Sequence, residues 1–145
     1  MKTVLFILLC AGMLVCSSPA SAARALQLSG DYTVYIWCTS DIGDFCNQGS
    51  LTNDTFTFND DSFEIGSFGG GLGGAVSSGD YSSSGTRFTA DFTGFDGADQ
   101  YTFDITGWSV FDFILAGTMD ITFEENAGLF GGDESGRAFF LATRG

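Results

Sequence analysis

Histidine is absent from the 145 residues, proline occurs once, and only five residues are basic. Each scarcity removes a class of chemistry. Without imidazole there is no Ser-His-Asp or Cys-His nucleophile and no imidazole metal ligand. With 18 acidic residues the formal net charge is -13. That charge argues against nucleic acid or an anionic membrane surface as partner, because both need a cationic footprint. After the first two dozen residues no apolar run is long and uncharged enough for a transmembrane helix, and no helix-period stripe occurs.

What is there begins with an export signal. Lys2 gives a positive start, and Val4 to Cys16 is an apolar run of 13 residues. That is too short to span a bilayer and the right length for a signal h-region. Ser17-Ser18-Pro19 breaks the run, and Ala20-Ser21-Ala22 is a small-x-small cleavage site. The reading is a signal peptide over 1–22 and one β domain over 23–145, secreted or periplasmic. The alternative, a lipoprotein acylated at Cys16, would put the large Val15 where a small residue is wanted.

Cleavage leaves Cys38 and Cys46. In an exported chain an isolated pair is read as one disulfide. It would close a nine-residue loop, for which chain entropy gives about 2.5 kcal/mol. A redox pair is the other reading, but the spacing is not C-x-x-C.

Period-2 alternation dominates the rest. Leu26, Leu28, Tyr32, Val34 and Ile36 share one face, and Phe56 and Phe58 alternate with Thr55 and Thr57. Phe63 and Ile65 flank Glu64. Phe88, Ala90 and Phe92 alternate with Thr89, Asp91 and Thr93, as do Tyr101, Phe103 and Ile105 with Thr102, Asp104 and Thr106. Phe111, Phe113 and Leu115 read as a further inward run, then Met119, Ile121 and Phe123, then Phe139 and Leu141. Turn chemistry separates these runs at Asn59 to Ser62, at Gly94 to Asp99 and in the Gly/acid stretch from Gly128 to Gly136. The expected fold is all-β, a single antiparallel up-and-down barrel of about eight strands, because every connection is short. A β-sandwich is the alternative architecture. A lipid-facing barrel is disfavoured, since Phe sits throughout the strands and not at two rims; no membrane insertion is expected.

No catalytic residue is assigned. The carboxylates lie in turns or on Thr-rich faces, where nothing raises a pKa toward general-acid use. Asp91, Asp104 and Asp120 form a ladder, but no calcium-loop motif is present. Metal and cofactor are therefore read as none. Gly69, Gly71 and Gly74 match G-x-G-x-x-G only formally, because no helix follows; Phe68 to Gly74 reads as a loop over one barrel end, and the Ser/Gly-rich stretch from Ser77 to Gly85 as non-helical chain.

Two candidate sites stand side by side. The first is the interior: Phe103, Phe113, Phe123 and Tyr32 would line a cavity for a small apolar ligand, unless side chains fill it. The second is a set of aromatics on the wrong face. Tyr35 and Trp37 oppose Val34 and Ile36, Trp108 falls on the Thr102/Asp104 face, and Phe140 opposes Phe139 and Leu141. Outward rings would recognise a glycan or a protein partner, or else pack under the disulfide loop and termini. The acidic surface would suit a basic protein partner.

The pattern resembles the lipocalin-like (calycin) barrels, which are exported, up-and-down and disulfide-tied. They begin the first strand with G-x-W and place an Arg near the last strand over that Trp. Gly30-Asp31-Tyr32 stands at the matching start, with Tyr32 for the Trp, and Arg144 follows the last run. The resemblance implies binding of a small hydrophobic molecule and no catalysis.

Overall fold

The structure is a computed structural model that describes residues 26–68, 76–111, 113–129 and 133–145. The expected signal peptide over 1–22 and the glycine motif at 69–74 lie outside the described residues. Eight antiparallel strands run β1(Gly30–Cys38), β2(Leu51–Asn59), β3(Ser62–Ile65), β4(Ser78–Ser84), β5(Arg87–Asp96), β6(Asp99–Phe111), β7(Ile114–Glu124) and β8(Asp133–Arg144). Each pairs with its sequence neighbour, and β1 pairs with β8, so the sheet closes as a barrel and not a sandwich. A short 3-10 helix, Glu125–Gly128, leads from β7 toward β8. Among the described residues no helix is long and apolar enough to cross a membrane.

The inward face is the alternating apolar set. Tyr32, Val34, Ile36, Phe56, Phe58, Phe63, Phe88, Phe92 and Phe103 are all at most 2% exposed. Their rings interlock along the axis: Phe58 touches Phe63, Tyr81 and Phe88, and Phe92 touches Phe63 and Phe103, at centroid distances of 5.0–6.0 Å. Closure leaves no long free edge, and the thinnest seam is β3–β4, paired only at Ser62 and Asp80.

The disulfide joins Cys38 at the end of β1 to Cys46, with Cα atoms 6.0 Å apart. Its loop also inserts Ile42, fully buried, into the core.

Three strand assignments differ from the sequence reading, each for a packing reason. Ser78–Ser84 is a strand although it has only one large apolar residue. Its inward Gly79 is required, since a Cβ there would lie 2.5 Å from the Asp91 carbonyl oxygen. Phe111 and Phe113 are not an inward strand: they end β6 and flank the β6–β7 turn, 59% and 54% exposed. The β6–β7 register shifts between Ser109 and Phe111, so alternation breaks after the buried Ser109 and the next rings turn outward.

On β8 the faces are reversed. Phe139 and Leu141 point outward, 52% and 47% exposed, while Ala138, Phe140 and Ala142 are buried. Phe140 fits inward because its row on the neighbouring strands is Gly117 and, beyond it, Gly107. Those glycines leave the space that its ring fills.

Candidate ligand-binding site

The two barrel ends are built differently. At the end where β1 finishes, Phe45 from the disulfide loop and Phe68 after β3 seat their rings over Phe103, at 5.3 and 5.2 Å, and against Tyr101, at 6.1 and 5.2 Å. A pocket of only about 190 Å³ remains there. Burial raises the Tyr101 phenol above its ordinary value, with nearby Asp44, Asp99 and Asp96 adding to the shift and a hydrogen bond at Asp44 opposing it. The Asp44 backbone N–H donates to that phenol oxygen at 3.2 Å.

At the opposite end the chain makes an open cup of about 710 Å³. The segment entering β1 forms one wall. It is tied to β4 by the Tyr81 hydroxyl, which donates to the Leu28 carbonyl at 2.8 Å, and by the Ser83 hydroxyl, which donates to the Leu26 carbonyl. Burial raises the Tyr81 phenol, with Asp61 and Asp60 adding to the effect, so it stays a donor at neutral pH. The facing wall is the end of β6. There Ser109 N–H donates to the Thr86 carbonyl at 2.7 Å and the Ser109 hydroxyl to the Phe111 carbonyl at 2.8 Å. The bulge that spoils alternation is thus also what turns Val110 and Phe111 toward the rim.

Arg144, the last residue of β8, lies beside the floor. Its guanidinium carbon is 5.8 Å from the Tyr32 ring centre, within the range of a cation–π contact. Gly30 holds φ +80, and a Cβ there would be 3.2 Å from an Arg144 guanidinium nitrogen. The Arg144 backbone N–H donates to the Phe113 carbonyl at 2.9 Å, which fixes the strand end. Among the described residues the single ion pair is Arg137 with Asp120, at 2.7 Å. In a chain with 18 acidic residues, the Arg144 guanidinium therefore faces the cup without a carboxylate partner among the described residues. It offers planar paired donors suited to a carboxylate, in a largely polar cup whose rim also carries the apolar side chains of Leu26, Val110 and Phe111.

The predicted interior residues are not brought together. Phe103 is fully buried among rings, and Phe123 is partly buried against Tyr101 at 5.0 Å. Phe113 is outside, stacked on Phe111 at 5.6 Å and 11°, so its interior placement is corrected. Tyr32 is buried under Arg144, and of the four it alone lines the cup. Sequence reasoning missed Ser109 and Val110, because only the bulge brings them to the rim, and Thr86, which the β4–β5 turn places there. In the sequence Arg144 signals only its resemblance to the arginine that calycin barrels place near the last strand. Of the wrong-face aromatics, Tyr35, Trp37 and Trp108 are exposed at 42%, 56% and 47%, while Phe140 is corrected to the core.

The Asp ladder is in direct register. Asp80, Asp91, Asp104 and Asp120 are successive cross-strand partners from β4 to β7, and Arg137 on β8 ends the row. Among the described residues no three Asp, Glu or Cys side chains converge as metal ligands. Comparison with protein families, characterised proteins and solved structures finds no match for this chain.

Proposed function

We propose that this is an exported, non-catalytic, lipocalin-like barrel that binds a small amphiphile with an apolar body and one anionic group. The ligand sits in the cup at Arg144, not in the ring-filled interior. The observation that carries the reading is the guanidinium without a carboxylate partner among the described residues, at the edge of a cup of about 710 Å³. That volume falls in the range of small-molecule sites. The lipocalin-like reading is supported by Gly30 and by Arg144 over Tyr32, and export by the leader pattern together with the disulfide, which fits an oxidising compartment.

The test is calorimetric titration with a medium-chain alkyl carboxylate and with the alcohol of the same chain length. Hydrogen bonds to a charged group are worth about 1.5–3 kcal/mol, so the carboxylate should bind roughly 10–100-fold more tightly than the alcohol. Arg144→Leu should erase that preference while the fold persists. Equal affinity for acid and alcohol, or an unchanged preference in the variant, rejects the reading.

A further inference from the structure

We infer that the outer face of β2, β1, β8, β7 and β6 is a self-association surface on which a second copy of this chain docks. The face carries two adjoining apolar rows. In the first, Leu51, Trp37 and Phe139 are cross-strand partners, 61%, 56% and 52% exposed. In the second, Tyr35 pairs with Leu141, Leu141 with Ala116, and Ala116 with Trp108. Tyr35, Leu141 and Trp108 are 42%, 47% and 47% exposed. All six stand outward because the same alternation that fills the core aims them away from it.

Three properties point to a second copy. The first is size. Four half-exposed rings and two leucines leave roughly 500–600 Å² of apolar surface in water. That is the upper end for an ordinary monomer and most of the roughly 800 Å² each partner contributes to a standard interface.

The second is relief. β1 and β8 raise a ridge of large side chains, while β7 presents only Ala116 and Thr118, both half-buried, before Trp108 rises on β6. Two strand spacings make this groove about 10 Å wide. A two-fold axis sets each copy's ridge into the other's groove, which is the self-complementarity an isologous dimer needs.

The third is charge. The chain carries a net -13, so two copies repel over most approaches. These two rows contain no carboxylate. Asp120, next along β7, is neutralised by Arg137 at 2.7 Å, and Arg87 is the cross-strand partner of Trp108. Two copies therefore meet here at the least electrostatic cost. A basic protein would instead be drawn to the Asp80–Asp120 row, and a glycan would gain no hydrogen bond from Leu51, Phe139 or Leu141.

The test is sedimentation equilibrium of the protein recovered from the periplasm of an expression host, from low micromolar to several hundred micromolar. The expected result is a monomer–dimer equilibrium that tightens in molar salt, as the residual repulsion is screened. The two tryptophans of the chain, Trp37 and Trp108, both lie on this face, so wild-type emission should shift to the blue over the same concentration range. Phe139→Glu with Leu141→Glu should weaken the dimer at least about a hundredfold with the near-ultraviolet spectrum kept. Thr93→Glu with Thr102→Glu, adding the same charge outside the two rows, toward the start of β6 and the end of β5, should weaken it much less. A monomer at every concentration in both salts, with constant emission, overturns the inference. So does a dimer undiminished by the β8 variant, or a monomer held through Trp37 on cellulose, chitin or zwitterionic vesicles.

Discussion

Gly117 lies so close beneath Phe140 that a Cβ on it would sit 2.8 Å from the ring edge and 2.1 Å from the Thr106 carbonyl oxygen. The neighbouring Gly107 would meet the Phe88 ring at 2.4 Å. These absent side chains decide which face of β8 is inside. Gly117→Ala should therefore destabilise by about 1–3 kcal/mol, the usual range for overpacking. Phe140→Ala should cost about 3–5 kcal/mol. Phe139→Ala, one residue away but outside, should cost far less in a dilute monomer. Urea unfolding of the three variants checks the order; equal losses for Phe139→Ala and Phe140→Ala would restore the opposite register.

The barrel was legible in the sequence where inward residues are large. On β1, β2, β5 and most of β6 the Phe, Ile and Val positions match the buried set. It was illegible where the inward residues are small. β4 and β8 turn Gly79, Gly136, Ala138 and Ala142 toward the core, and hydropathy reads those as loop or as outer face. The reason lies in other strands: rings such as Phe63, Phe88 and Phe92 already occupy the space. The alternating runs still number eight because Phe111–Leu115, split between β6 and β7, offsets the silent β4. The cup was invisible for a related reason, since a register shift at Ser109 and a crossing N-terminal segment build it.

Arg144 and Tyr32 allow the proposed ligand binding to be tested separately from folding. The guanidinium is exposed and its contact with the ring is one cation–π interaction. Arg144→Leu should lower stability by no more than about 1 kcal/mol, the value at an exposed site. Tyr32→Ala empties a core position that touches Phe58 at 5.6 Å and should cost about 3–5 kcal/mol. Thermal unfolding without ligand measures both. A large loss in the Arg144 variant would make this residue structural.

The Cys38–Cys46 bond closes a short loop whose Ile42 is buried in the core. Reduction should lower stability by about 2.5 kcal/mol on chain entropy and free Ile42 and Phe45 to leave their places over the rings. Hydrogen exchange should then rise first at Ile42 and Cys46, whose backbones bond each other at 2.9 and 3.4 Å. Uniform exchange across the barrel on reduction would show that the loop does not open locally.

The Asp row gives stability a pH dependence of two opposing signs. The Asp104 pKa is raised, first by burial and then by its hydrogen bond with Asp91 and the charges of Asp91 and Asp120. The folded chain thus holds this proton more tightly than the unfolded chain does. Its stability contribution is intact below the ordinary carboxylate value, about 3.9, and declines as pH rises through the raised one. The Asp120 pKa is lowered, chiefly by its hydrogen bond to Arg137. Its contribution is present above the ordinary value and is lost as pH falls through the lowered one. Asp104→Asn should therefore stabilise at neutral pH by a few tenths of a kcal/mol, about what like charges across a strand pair cost. The gain should shrink in high salt and vanish near pH 3, where Asp104 is protonated in both states. Asp120→Asn should destabilise at neutral pH and also converge on the wild type in acid. Melting curves across this range decide it: an Asp104→Asn gain that persists in acid would belong to packing, not to repulsion along the row.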